Sequence, residues 1–171
     1  DIDDIIVFTK SGLMQVVKVD TKAFIERNII HVSVFKRKDS RTIYNMIYRD
    51  GKNGTYFIKR FPVTGVTRDK LYNLTQEKPN SEIIYFSANP NGEAEIVTIN
   101  LRNTGSIKKL KWDLDFADLQ IKGRNSKGNI VTKYTIRKNG IELKEKGKST
   151  LKPRDIWFDS CLLYTSDAAD E

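Results

Sequence analysis

Short apolar runs, rather than stripes with helical spacing, dominate the hydrophobic pattern of this chain. The runs are rich in β-branched and aromatic residues, and clusters of Gly, Asn, Asp and Ser separate them, which is typical of strands joined by tight turns. The sequence therefore predicts an all-β fold. The predicted strands cover residues 5–9, 13–19, 29–35, 42–48, 55–61, 83–87, 94–101, 106–113, 129–137, 141–145 and 154–158.

Two local patterns refine this picture. Asn139-Gly140 stands between two strand-like runs, and this dipeptide favours a type I′ hairpin because both of its residues tolerate positive φ. Residues 67–74 form the one segment that predicts a short helix, with Thr67 as N-cap and Asp69 in the first turn.

A degenerate unit recurs along the chain: a bulky apolar residue, two others, Ser or Thr, and then Gly. It reads FTKSG at 8–12, FPVTG at 61–65 and LRNTG at 101–105, so its glycines are 53 and 40 residues apart. Several short strands within such a spacing are typical of propeller-like blades. A plain β-sandwich with similar turns is the alternative.

The composition adds an uneven charge to this fold. The 171 residues are 39% hydrophobic, enough for one ordinary core, and their net charge is +8. Residues 105–154 hold 14 basic and 5 acidic side chains, whereas residues 1–52 hold 10 and 7, and residues 53–104 hold 6 and 5. The last third therefore predicts a polyanion-binding surface, for nucleic acid or an anionic membrane.

The segment 119–138 is the strongest candidate for that surface, because it holds six Lys or Arg and no acid. Gly123 and Gly128 bracket small polar residues there, and successive backbone N–H groups in such a loop form a concavity suited to phosphate. A solvated turn without a ligand is the alternative. The predicted DNA-binding residues are Lys108, Lys109, Lys111, Lys122, Gly123, Arg124, Lys127, Gly128, Lys133, Arg137 and Lys138.

Alternation along the predicted strand 106–113 places Lys109 and Lys111 on one face and Lys108 on the other. Aromatic residues are sparse among these cations, which favours contacts with the backbone of duplex DNA over stacking on single strands. Sheet or core packing is expected for the aromatic residues Tyr48, Tyr134, Trp112 and Trp157.

Other chemistry finds little support in the sequence. His31 lies in an apolar run without a nucleophile pattern, so we expect a packed histidine. The sequence has no P-loop motif and a single cysteine, Cys161, so neither a disulfide framework nor a zinc set is expected. No apolar run reaches the roughly 20 residues of a membrane span, and no signal peptide opens the chain. A cytoplasmic protein without a catalytic site or cofactor in this chain is the expectation.

The order of the motifs resembles the C-terminal domain of bacterial type IIA topoisomerase A subunits, a family that includes those of DNA gyrase and topoisomerase IV. The opening DDIIVFTKSGLMQVVKV at 3–19 resembles the first strands of a blade in that domain. The stretch 54–101, LQIKGRNSKGNIVTKYTI at 119–136 and LKPRDIWFD at 151–159 are most similar to topoisomerase IV A subunits of Bacteroidetes. The resemblance covers residues 3–159.

The resemblance implies a partial β-pinwheel of about three four-stranded blades whose basic rim binds and bends duplex DNA. In the parent enzymes the catalytic tyrosine lies in another domain, and a B subunit hydrolyses ATP with Mg²⁺, so the chain is expected to hold only part of a cytoplasmic, nucleoid-associated topoisomerase. A propeller that binds an acidic protein through its basic face is the alternative.

Gyrases carry a basic box of the form Q-[RK]-R-G-G-[RK]-G. QIKGRNSKG at 120–128 matches it at Gln120, Lys122, Gly123, Arg124, Lys127 and Gly128. It lacks the consecutive glycines, which implies the relaxation and decatenation of topoisomerase IV rather than gyrase-type wrapping.

The two ends of the chain differ in character from its middle. The start lies directly in a strand pattern without an initiating Met, so we interpret it as a cut inside a larger protein. Residues 161–171, CLLYTSDAADE, resemble a translated sequencing adapter. We therefore expect the DNA-binding domain to occupy residues 1–160 and residues 161–171 to be non-native, which leaves Cys161 without a functional role.

Overall fold

Three antiparallel sheets account for most of the residues that the computed structural model describes, which are 4–18, 28–36, 41–52 and 54–151. Within these residues there is no α-helix, only a 3-10 turn at Phe116–Asp118. The predicted all-β fold is confirmed. The strands are β1 Asp4–Thr9, β2 Leu13–Lys18, β3 Ile29–Phe35, β4 Ile43–Arg49, β5 Tyr56–Phe61, β6 Leu71–Asn73, β7 Glu82–Asn89, β8 Glu93–Leu101, β9 Lys111–Asp115, β10 Asn129–Thr132 and β11 Ile136–Ser149.

Neighbouring sheets are interlocked by strands that return from further along the chain. Sheet 1 has the order β3-β1-β2-β6, sheet 2 the order β10-β5-β4-β7, and sheet 3 the order β11-β8-β9. Strand β6 joins sheet 1 after sheet 2 has begun, and β10 joins sheet 2 after sheet 3 has begun. This arrangement of three unclosed sheets is consistent with the predicted partial β-pinwheel.

The recurring unit of the sequence places a glycine with a left-handed conformation after a strand each time, but in two kinds of connection. Its glycines Gly12, Gly65 and Gly105 follow β1, β5 and β8, and all three have positive φ, of 94°, 63° and 87°. A left-handed conformation at the end of a strand explains why glycine recurs at this position. Gly12 and Gly105 lie between neighbouring strands of one sheet, whereas Gly65 lies between β5 of sheet 2 and β6 of sheet 1, so the unit does not mark equivalent positions in the three sheets.

Two hydrophobic clusters lie on opposite faces of sheet 2. The first joins sheets 1 and 2 and includes Phe8, Met14 and Tyr48. The second joins sheets 2 and 3 and includes Ile47 and Phe116. Because sheet 2 is covered on both faces, β4 and β5 are buried along almost their whole length, and their sequences read as nearly continuous apolar runs.

The predicted helix at 67–74 is wrong. Leu71 and Asn73 pair with Gln15 and Leu13 in sheet 1, and Asp69 adopts a positive φ of 67° while its N–H donates to the carbonyl of Val16. Pairing with the edge of β2 therefore overrides the weak local helix propensity of this segment.

Three strand predictions also need correction or lie outside the description. Residues 106–110 are irregular, and β9 begins only at Lys111. Asn139-Gly140 does not form a hairpin, because β11 continues through it with a bulge. The predicted strand at 154–158, Trp157, and the proposed adapter segment at 161–171 lie outside the described residues.

Candidate nucleic-acid interface

Both ends of the loop 122–128 are attached to β5, at the residues on either side of Lys59. On one flank Ile121 bridges to Arg60, whose carbonyl accepts from the Lys122 N–H at 3.0 Å. On the other flank Asn129 pairs with Ile58 in the antiparallel ladder between β10 and β5. The two ends of the loop therefore meet on either side of Lys59, and the loop stands over that residue.

Lys59 fills the base of the loop. Its side chain is buried, and its Nζ donates to the carbonyls of Leu74 at 2.5 Å, Arg124 at 2.7 Å and Ser126 at 2.9 Å. The ammonium also lies 5.2 Å from the centre of the Phe61 ring, a favourable cation–π distance. Burial lowers the pKa of Lys59 to about 8, so the ammonium form still prevails at neutral pH and satisfies three carbonyls at once.

Two further contacts fix the C-terminal end of the loop. The Tyr48 hydroxyl donates to the Lys127 carbonyl at 2.6 Å, and burial, followed by the charge of Asp50, raises the pKa of Tyr48 to about 12. Gly128 has a φ of 94°, and a Cβ there would lie 2.5 Å from the Ile58 carbonyl oxygen. The core packing predicted for Tyr48 is confirmed, and buried groups hold the backbone of the loop in place.

The three cations of the loop are presented differently. Lys122 and Lys127 are exposed, and the Lys127 ammonium lies 5.0 Å from the centre of the Phe57 ring. Arg124 is half-buried, with its guanidinium 4.8 Å from the Tyr72 ring centre and its Nη1 donating to the Thr64 carbonyl at 3.1 Å. Arg124 therefore ties the loop to the segment leading into sheet 1, whereas the two lysines point their charge to solvent.

The lysines near β9 do not follow the predicted alternation. Lys108 and Lys109 lie in the irregular segment before β9, so the rule that sides alternate along a strand applies only from Lys111 onward. All three of these lysines are exposed. Lys109 lines a notch of about 280 Å³ with Trp112 and Tyr134.

Of the two aromatic residues in this notch, one packs as predicted and the other does not. Trp112 is half-buried and packs against the second hydrophobic cluster, as expected. Tyr134 is 55% exposed and follows β10 in a bend rather than in a strand, so its predicted sheet packing is wrong. The Thr132 hydroxyl accepts from the Tyr134 N–H and breaks the ladder at this point.

The remaining predicted cations follow β10. Lys133 is exposed beside Tyr134, and Arg137 and Lys138 lie together in the bulge of β11, where both line a groove. The predicted cations thus lie in separate places: in the loop, before and at the start of β9, after β10 and in the bulge. Among the described residues, none of these nine cations lies within 4.0 Å of a carboxylate, and the ion pair of this region joins Lys144 to Asp113.

The sequence analysis missed two buried cations that link separate segments of the chain by hydrogen bonds. Lys59 and Arg60 are adjacent in β5, and both are buried. Arg60 donates to the Asn45 side chain at 2.9 Å and to the Gly92 carbonyl at 2.9 Å, so it links sheet 2 to sheet 3. A pair of basic residues inside the apolar run TYFIKRF was the available signal, because a strand covered on both faces must bury them.

Other kinds of site find no support in the described part of the chain. The His31 ring lies 5.8 Å from Phe8 and 5.5 Å from Phe86, and its Nε2 is 3.1 Å from the Ser33 hydroxyl; burial lowers its pKa. It is a packed histidine, as predicted. Among the residues described, His, Cys, Asp and Glu do not form a group of three or more suited to a metal. Nor do these residues include a helix long and apolar enough to cross a membrane.

The three unclosed antiparallel sheets define a β-pinwheel-like class of domain, and comparison with known proteins specifies it further. Residues 1–144 match the sequence model of the family described as "Topoisomerase C-terminal domain, Bacteroidota". The chain belongs to this family. It is also 26% identical over 137 residues to the A subunit of DNA topoisomerase 4 from Borreliella burgdorferi, a match that covers 80% of this chain and 20% of that relative. The chain thus spans about a fifth of the length of the relative.

Proposed function

We propose that this chain binds duplex DNA through its phosphate backbone, with the loop 122–128 as the main contact. One observation carries the proposal: the nine predicted cations, which lie in the loop, before and at the start of β9, after β10 and in the bulge, have no carboxylate partner among the described residues. An ordinary solvated surface intersperses both signs of charge. Uncompensated Lys and Arg on a rigid scaffold attract the regularly spaced phosphates of DNA.

The same proposal places the chain in a larger enzyme. Its family membership supports an origin in the A subunit of a type IIA topoisomerase, in which it would bend DNA that the rest of the enzyme relaxes or decatenates. That enzyme would act in the cytoplasm at the nucleoid, with a B subunit that uses ATP and Mg²⁺. The missing glycine pair in the basic box favours topoisomerase IV over gyrase-type wrapping.

The salt dependence of binding tests the proposal. In a titration of a labelled random-sequence duplex, charge reversal at Lys122 and Lys127 is expected to weaken binding. The slope of log affinity against log salt should flatten by about 0.9 for each lost phosphate contact. Arg124 is left unchanged because it holds the loop in place. Reversal at the exposed Lys146 and Lys148 of β11 serves as the matched control.

Two results would contradict the proposal. One is a slope that the loop variant leaves equal to that of the control variant. The other is an unmodified chain that binds an acidic polypeptide but no random-sequence duplex at moderate salt, which would favour the alternative of a protein-binding module.

A further inference from the structure

A second cationic feature lies apart from the loop, at the place where the three sheets meet. It is a groove of about 720 Å³. Sheet 1 contributes the turn after β1, sheet 2 the end of β4 and the starts of β5 and β7, and sheet 3 the end of β8 and the start of β11. Five cationic side chains line it, together with one carboxylate: Lys10, Arg49, Arg102, Arg137 and Lys138, with Glu82.

The charges of this groove are poorly compensated. Glu82 lies 3.7 Å from the Lys10 ammonium and is therefore already paired. Arg49 donates to the carbonyls of Gly51 at 2.7 Å and Asn80 at 3.0 Å, so its position is fixed but its charge is not neutralised. The other three cations are exposed, and within the described residues their side chains have no hydrogen bond or ion pair.

The bulge in β11 is what brings two of these cations to the groove. Ile136 pairs with Leu101 and Ile141 with Ile99, so four residues of β11 stand opposite the single residue Asn100. In a regular strand, adjacent side chains point to opposite faces. Here the adjacent Arg137 and Lys138 both line the same groove, because a bulge re-aims the side chains it carries.

The bulge is built into the fold rather than left loose at its edge. The Asn100 amide donates to the Gly140 carbonyl and to the Glu142 carboxylate, both at 3.0 Å. A Cβ at Gly140 would lie 2.6 Å from the carbonyl oxygens of both Arg137 and Asn100, and Asn139 takes a positive φ of 57°. The Asn-Gly pair, which predicts a hairpin, instead supplies the backbone freedom that this bulge needs.

The walls beneath the cations strengthen their effect. The lining also includes apolar side chains of β5, β7 and β11, namely Tyr56, Ile83, Ile84, Ile136 and Ile141. Charges of one sign above low-dielectric walls focus the electric field into a cleft. Since the cations come from three sheets and the groove is larger than a single phosphate group, a ligand with repeated negative charges suits it best.

We propose that this groove is a second site for the phosphate backbone of duplex DNA, separate from the loop 122–128. The inference rests on the proposed function and extends it, because it gives the DNA a contact point at the junction of the sheets. It assigns binding roles to Lys10, Arg49 and Arg102, which lie outside the basic last third of the sequence.

Substitution within the groove tests the assignment in the full chain. The variant R102Q/R137Q/K138Q removes three unpaired charges, and K18Q/K146Q/K148Q removes three exposed charges from residues that do not line the groove. Duplex binding followed by fluorescence anisotropy across a salt series should give a slope about two to three smaller for the groove variant. The control variant should keep the slope of the unmodified chain, and thermal melting should show both variants folded.

The outcomes separate this inference from the proposed function. An unmodified chain that fails to bind the duplex overturns both. Duplex binding that the loop variant weakens, while the groove variant matches its control, overturns the groove alone. A groove variant that loses binding to polyglutamate but keeps its duplex affinity also overturns it, because the groove would then serve an acidic protein.

Lysine protection provides a measurement that does not depend on any variant. In the unmodified chain, saturating duplex should slow the acetylation of Lys10 and Lys138 several-fold, as measured by mass spectrometry, and should leave Lys146 unchanged. Equal acetylation of Lys138 with and without duplex would overturn the assignment.

Discussion

The loop 122–128 and the bulge 137–140 present the same kind of charge but are held by different means. Beneath the loop, the buried ammonium of Lys59 binds three carbonyls across two segments of the chain. Beneath the bulge, the neutral amide of Asn100 binds one carbonyl and one carboxylate on a single neighbouring strand. We call Lys59 the charged anchor and Asn100 the neutral anchor. The comparison shows that the exposed cations of one protein can be held in place by buried groups that differ in charge and in their contribution to stability.

The largest expected effect comes from removing the charged anchor. Lys59→Met leaves the carbonyls of Leu74, Arg124 and Ser126 without their shared donor, and buried acceptors that lose a partner are costly. We expect the free energy of unfolding to fall by about 2–4 kcal/mol, measured by urea denaturation. Lys127→Met, an exposed control nearby, should stay within about 0.5 kcal/mol. A Lys59→Met variant as stable as this control would contradict the claim that Lys59 holds the loop.

Glycine substitutions should distinguish glycines that a neighbouring backbone oxygen approaches closely from a glycine that merely lies in a loop. Alanine at Gly128 or Gly140 would place Cβ at 2.5–2.6 Å from backbone oxygens, so we expect each variant to lose about 1–3 kcal/mol of stability. Gly123 has no atom within 4 Å of a built Cβ, and Gly123→Ala is the matched control, expected within about 0.5 kcal/mol. Equal melting temperatures for all three variants would contradict the packing at both anchors.

The neutral anchor should matter less than the charged one. Asn100→Ala removes the amide that holds the bulge and leaves the Gly140 carbonyl without its donor. We expect a loss of about 1–2 kcal/mol in the free energy of unfolding, together with weaker duplex binding. If Asn100→Ala destabilised the protein as much as Lys59→Met, the distinction between the anchors would fail.

The pH dependence of stability should distinguish the anchors most finely. Burial lowers the pKa of Lys59 to about 8 in the folded protein, against about 10.4 when unfolded. Between these values the unfolded chain binds more protons, so the Lys59 contribution to stability rises with pH, by at most about 1.4 kcal/mol per unit. The difference in unfolding free energy between the unmodified chain and Lys59→Met should therefore grow from pH 8 to 10. A flat difference would mean that Lys59 titrates normally.

The strand pattern of the sequence predicted the fold better than it predicted the anchors. Alternation and turn residues located most strands because those signals are local. The segment 67–74 was misassigned since its conformation comes from pairing with β2, which lies more than fifty residues earlier. Asn139-Gly140 satisfied the local rule for a hairpin, but the ladder with β8 continues past it and turns the same freedom into a bulge.

The amino-acid composition located the exposed cations of the candidate interface. It did not identify the residues that hold those cations in place. Lys59 and Asn100 do not stand out in a count of charges, because their roles depend on which carbonyls the fold places around them. Lys10, Arg49 and Arg102 come from turns and strand ends of three different sheets. Only the meeting of those sheets shows that they share a groove with Arg137 and Lys138.

The return of β6 and β10 to earlier sheets has a consequence for synthesis on the ribosome. Sheet 1 cannot gain its fourth strand until residue 73 has emerged, and sheet 2 must wait for residue 132. Pairings between distant segments slow folding because the intervening chain must be ordered first. A nascent chain therefore carries an incomplete edge on sheet 1 while sheet 2 is being synthesised. Sheet 2 in turn gains its fourth strand only after the first two strands of sheet 3 have been made.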